Sequence, residues 1–241
     1  HCLALVGGES GVIATGFTVA DEDALALAET ELEQRGFTVT RGDATESRSR
    51  RVRQFVGLDD PFGNRIELVV DQQSLGRPVA FSRRAGITEF GHVCLDAPDV
   101  REAYRFWSTT FNAKVSDWIG DAVFLRLDLR RHRIALFPSA RDGILGASWA
   151  VEGINNVMQG WYFLQSRQVP VMHGPGRQAA SNAVFVTAKG PGDIYYSYVA
   201  ETEAGPQVAA RGPRQFSDTA RSHCAWGSPC LAPEFQGGEE R

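Results

Sequence analysis

The chain has 241 residues, 43% hydrophobic and 22% charged, with a formal net charge of −4. That is the composition of an ordinary globule, long enough for one large or two small domains. The absence of a basic surplus argues against a nucleic-acid partner, and no apolar stretch approaches the roughly 20 residues of a membrane span. Four cysteines, Cys2, Cys94, Cys224 and Cys230, are too few and too scattered for a disulfide framework. With no signal peptide visible, the expected compartment is the cytoplasm. His223, Cys224 and Cys230 lie close together, but their spacing matches no zinc pattern.

In chain order, His1 to Val6 reads as a strand, and Val12 to Val19 carries strand residues again. Asp21 can cap a helix, with Glu22 and Asp23 in its first turn, Leu25, Ala28 and Leu32 on one face, and Gly36 as its stop. Phe37 to Thr40 and Val52 to Gly57 read as strands. Asp60-Pro-Phe-Gly-Asn is a turn before the strand Arg65 to Val70. Phe90 to Leu95 is a strand. Asp96 is expected to cap the next helix, with Pro98 in its first turn and Val100, Tyr104, Trp107 and Phe111 as its apolar stripe. Lys114 to Ile119, Ala122 to Leu127 and Arg133 to Phe137 follow as strands.

Some of these phrases recur. His1-Cys-Leu-Ala-Leu5 resembles His132-Arg-Ile-Ala-Leu136, Phe17-Thr-Val19 resembles Trp149-Ala-Val151, and Arg35-Gly-Phe-Thr-Val39 resembles Arg167-Gln-Val-Pro-Val171. Asp60 to Leu68 resembles Gly190 to Tyr196, with gaps. Matched phrases in the same order at nearly constant spacing indicate a repeated module of strand, helix and three strands. The expected fold class is therefore α+β, built from repeated βαβββ modules in two domains. The expected division is an incomplete first domain over 1–72, lacking the front of its first module, a linker over 73–87, a second domain over 88–201, and a tail over 202–241 with little regular structure.

The phrases Asp60-Pro-Phe-Gly-Asn-Arg-Ile-Glu-Leu68, Phe90-Gly-His-Val-Cys-Leu95, Arg131-His-Arg-Ile-Ala-Leu-Phe-Pro138, Gly174-Pro-Gly-Arg177 and Ser181-Asn182, in this order, resemble the type I extradiol catechol dioxygenases, such as 2,3-dihydroxybiphenyl dioxygenase. The resemblance runs from His1 to about Glu201. It implies two vicinal-oxygen-chelate barrel domains and a family chemistry in which dioxygen opens a catechol ring at ferrous iron held by two histidines and a glutamate. It places His92 as the first metal ligand, Gly146 where the second histidine stands, and Tyr195 where the glutamate stands. It keeps His132 as the candidate catalytic histidine, puts Gln178 in place of a further histidine, and puts Val186 in place of a tyrosine. Gln178, Asn182 and Tyr195 are the candidate ligand-binding residues.

Two of three iron donors are thus missing, and glycine and a neutral phenol replace neither. The expected reading is a chain without a cofactor that binds a small aromatic, catechol-like ligand. Trp149, Phe185, Tyr195 and Tyr196 would suit a planar molecule, although Trp149 and Tyr196 read equally well as core. The alternative is an active Fe(II) dioxygenase with altered ligands drawn from His173, Asp193, Glu201 or Glu203. Whether the chain forms a homo-oligomer is open.

Overall fold

The computed structural model describes residues 12–74, 76 and 83–237; the expected strand His1 to Val6 lies outside them. The chain divides into two compact units, residues 1–82 and 83–241.

In the first unit, β1 (Thr15–Thr18), α1 (Glu22–Gln34), β2 (Thr40–Arg41), α2 (Ala44–Arg50), β3 (Gln54–Asp59) and β4 (Arg65–Val70) form a four-stranded sheet in the order β1-β4-β3-β2. Asp21 caps α1, its carboxylate accepting from the Ala24 N–H at 2.8 Å. Leu25 and Leu32 of α1 are buried, as are Val56, Leu58, Ile66 and Val70 of the sheet. The short α2 has no apolar stripe to announce it. It forms because Asp43 and Glu46 make a capping box, the Asp43 side chain accepting from the Glu46 N–H while the Glu46 side chain accepts from the Asp43 N–H, each at 2.8 Å. Asp43→Ala is expected to lower the stability of this unit by about 1 kcal/mol, read from chemical denaturation.

The second unit contains two modules. The first is β5 (Ile87–Ala97), α3 (Val100–Thr110), β6 (Lys114–Ile119), β7 (Ala122–Arg126) and β8 (Ile134–Pro138). The second is β9 (Gly143–Val151), α4 (Ile154–Ser166), β10 (Val171–Arg177), β11 (Val184–Lys189) and β12 (Tyr195–Ala200). Each has the strand order of the first unit, with its first strand parallel to its last: β1 with β4, β5 with β8, β9 with β12. Antiparallel pairing of β5 with β9 joins the two modules into one sheet.

The cap of α3 is Asp99, not Asp96. The Asp99 carboxylate accepts from the Arg101 and Glu102 N–H groups at 2.9 and 3.0 Å. Asp96 still belongs to β5, because pairing with Phe137 on one side and Gly143 on the other extends that strand past the sequence signal. The buried stripe is Val100, Ala103, Phe106 and Trp107.

Residues 202–237 carry short elements: α5 (Pro206–Ala210), β13 (Arg214–Phe216), α6 (Ala220–His223) and one 3₁₀ turn (Pro233–Phe235). β13 extends the sheet beside β6, and Cys224 and Ala232 are fully buried. A buried charge cluster ties this segment down. Arg131 and Asp117 are both 0% exposed, joined by two bonds of 2.8 Å, and Arg214 of β13 adds a third at 2.8 Å.

Candidate functional site

A cavity opens on one face of the second unit's sheet. Phe124, Phe137, Phe185 and Phe235 contribute apolar wall; His92, His173, His223, Gln178, Thr187 and Ser197 contribute polar wall. Its volume is about 60 Å³. At ~10–15 Å³ per water by that measure, this is room for a few waters or one small ring.

Strand register explains why these polar groups meet. Ser148 on β9 pairs with Ser197 on β12, Ser197 with Thr187 on β11, and Thr187 with His173 on β10. On the other side the Ser148 hydroxyl accepts from the His92 backbone N–H at 2.8 Å and lies 2.7 Å from His92 Nδ1. The Thr187 and Ser197 hydroxyls are hydrogen-bonded at 2.7 Å. Side chains at one level of adjacent strands share a face, so five strands present a continuous polar row, His92, Ser148, Ser197, Thr187 and His173.

His132 lies behind this wall. Its ring centroid is 4.4 Å from that of His92 and 5.2 Å from that of Phe124. It is 2% exposed, and neither ring nitrogen has a hydrogen-bond partner among the described residues. Burial, reinforced by Arg131 and Arg133, pushes its pKa down to about 3. Burial, with His132 and Arg133 nearby, holds His92 well below the usual imidazole range. Burial lowers His173 to about 4. All three rings are neutral at pH 7.

The other expected residues are scattered. Gly146 pairs with Cys94 on one side and Tyr195 on the other, one step along the same face from Ser148 and Ser197. Tyr195 is buried against Phe235, and its hydroxyl donates to Glu234 at 3.2 Å. It is not part of the cavity wall. Gln178 lines the cavity and accepts from the Ser181 hydroxyl. Asn182 is exposed, its carbonyl and side-chain oxygens accepting from Arg177. Val186 is buried in a core with Val151, Val157 and Val184. Trp149 and Tyr196 stack on each other with centroids 5.6 Å apart, away from the cavity wall. Asp193 is 78% exposed beside Lys189, while Glu201 and Glu203 are paired with Arg177 and Arg211. Of the alternative donors, only His173 reaches the cavity.

Ser148, Ser197, Thr187 and His223 were not anticipated as site residues. The signal for Ser197 was present. Reading Asp60-Pro61 onto Gly190-Pro191 without gaps puts Ser197 opposite Glu67, and Ser197, like Glu67 before Leu68, precedes a large apolar side chain, Tyr198. The strand pairings agree, with Gly16 beside Glu67 and Ser148 beside Ser197.

These residues do not fit iron. The row beside His92 offers two neutral hydroxyls and no carboxylate, and alcohols are poor substitutes for imidazole and carboxylate. A side chain at Gly146 would bring its Cβ within 2.9 Å of the Tyr195 carbonyl oxygen. Among the described residues no group of three His, Cys, Asp or Glu side chains is placed to hold a metal ion.

Paired βαβββ modules joined edge to edge, with a cavity on the sheet face, define a vicinal-oxygen-chelate fold. Comparisons place it more narrowly. No protein-family profile matches the chain. It is 30% identical over 140 residues to a biphenyl-2,3-diol 1,2-dioxygenase of Paraburkholderia xenovorans, covering 51% of this chain and 47% of that protein. It is 31% identical over 137 residues to a 3-methylcatechol 2,3-dioxygenase of Pseudomonas putida, covering 50% and 46%. The chain thus spans about half the length of the curated relatives it matches. Among solved structures, a halotolerant catechol dioxygenase superposes with a TM-score of 0.80 at 21% identity, covering 91% of this chain and 76% of that one. A Mn(II)-bound glyoxalase from Novosphingobium aromaticivorans superposes with a TM-score of 0.79 at 20% identity, covering 93% and 74%. Over about half of its length the chain is thus similar to curated extradiol dioxygenases, and it shares the vicinal-oxygen-chelate fold of the solved structures.

Proposed function

We propose that this chain is a member of the extradiol family that binds a small phenolic ring without a metal. The observation that carries the reading is the polar row: at the level of His92 the neighbouring strands present hydroxyls, Ser148 and Ser197, and the facing wall is phenylalanine. Such a surface binds a planar molecule by apolar contact and orients its hydroxyl through a few fixed polar groups. Gln178 and His173 complete the polar wall. His132, unbonded behind His92, holds that ring in place by packing. Catalysis by His132 would require its proton to reach the cavity past His92 or Phe124.

The experiment is reconstitution. Protein treated anaerobically with ferrous iron and desalted is expected to retain far less than one equivalent, and phenol or catechol binding by calorimetry is expected to be unchanged by a chelator. Stoichiometric iron together with ring opening on added ferrous salt would overturn this reading. It would establish the alternative, an iron-dependent dioxygenase with altered ligands.

A further inference from the structure

The cavity's polar groups are all uncharged. Among the described residues that line it, none is Lys, Arg, Asp or Glu. The charges behind the wall are already engaged. Arg133 donates to the Phe90 and Gly91 carbonyls and is paired with Asp128 and Glu89. Arg131 is paired with Asp117. On the α6 side, Asp218 lies 3.0 Å from His223 Nε2, so the nearest carboxylate there is negative. Glu234 sits behind Tyr195.

The imidazoles do not change this. Burial lowers His173 to about 4 and lowers His223 against the opposing pull of Asp218. A neutral imidazole carries one donor and one acceptor; His92 Nδ1 is taken by Ser148 and His223 Nε2 by Asp218, which leaves each of these rings one nitrogen for a ligand. In the bonded Thr187–Ser197 pair one hydroxyl proton is used internally, leaving one proton and several lone pairs for a ligand. A phenol O–H, which donates and accepts, matches that mixture. A phenolate only accepts, and its charge would be buried with no cation to balance it.

From this geometry we propose that the cavity takes phenols in their un-ionised form and rejects phenolates and carboxylates. The inference rests on the metal-independent pocket reading and specifies its ligand class. It runs opposite to a metal site, where the cation favours the deprotonated ligand.

The probe is 4-nitrophenol, whose ionised and un-ionised forms differ in colour and which ionises near neutrality. With the full chain at the pH where the free probe is half ionised, binding should bleach the phenolate band. The un-ionised form should bind at least about tenfold more tightly, raising the bound probe's pKa by about one unit or more. Benzoate, anionic at that pH, should not compete. Gln178→Arg, which sets a guanidinium in the cavity wall on a half-exposed side chain, should restore the phenolate band of bound probe. A bound probe that stays ionised on the wild-type chain, or bleaching that Gln178→Arg leaves untouched, would overturn this inference while the pocket reading stands. Failure of 4-nitrophenol and phenol alike to bind by equilibrium dialysis would overturn both.

Discussion

Replacing Asp117 with alanine is expected to destabilise the second unit by about 3–5 kcal/mol, the cost of leaving a buried charge without its partner. Asp117 is fully buried and receives Arg131 through Nε and Nη2, each at 2.8 Å, as well as Arg214 through Nε at 2.8 Å. Arg131 also donates to the Ser116 carbonyl at 2.6 Å. Without the carboxylate, the Arg131 guanidinium remains 0% exposed with only carbonyl oxygens to answer it. The Arg214 contact that helps hold β13 beside β6 is lost at the same time. Replacing both partners with apolar residues of similar volume, as in Asp117→Leu with Arg131→Met, removes the uncompensated charge and should cost less than the single change. Urea unfolding followed by tryptophan fluorescence tests both. A loss below about 1 kcal/mol for Asp117→Ala would show that the pair is not desolvated in solution. The site depends on this cluster, since Arg131 immediately precedes His132.

Stability is expected to fall steeply between pH 6.5 and 4, with His173 a principal contributor. His173 is 4% exposed, and its pKa is lowered to about 4 by burial. Its unfolded value is about 6.5. Above pH 6.5 the imidazole is neutral in both states and adds no pH dependence. Between pH 6.5 and 4 the unfolded chain takes up the proton while the folded chain does not, so folding loses free energy as pH falls. Below about 4 both states are protonated and the loss levels off. At about 1.4 kcal/mol per unit, the total for this residue is on the order of 3 kcal/mol. His173→Gln should give a shallower slope across that window, by up to one proton. His173 packs edge-on to Phe185 and stacks on Phe235, so the variant is compared by the slope of stability against pH and not by stability at neutral pH. Identical slopes for the two proteins would mean that His173 is hydrated in the native state.

Much of the architecture was legible from local chemistry. Asp21 ahead of Glu22 and Asp23 marked the start of α1, and Gly36, in the left-handed region at φ 87°, marked its stop. The repeat between Phe17-Thr-Val19 and Trp149-Ala-Val151 reflects two strands that open equivalent modules, each parallel to the last strand of its own module. The site was legible in part. His92 and Gln178 line the cavity, because the phrases that carry them lie on strands or strand ends with few gaps. Asn182, although part of the Ser181-Asn182 phrase, and Val186, on a strand a residue shorter than the family pattern, lie outside the cavity wall.

What the sequence by itself determined is the set of modules, since capping groups, apolar periodicity and turn residues act over a few positions and are visible in one dimension. It also set the expectation that Gly146 and Tyr195 stand where the family's second imidazole and carboxylate would be. The tertiary structure alone decided which side chains stand together. The join of β5 to β9 carried β5 through Asp96 and moved the α3 cap to Asp99. The parallel register of β9 with β12 put Ser197, and not Tyr195, level with Ser148 and His92. Side chains alternate faces every residue along a strand, so neighbours across strands depend on register. Pairing over the whole sheet sets that register, and no local phrase carries it.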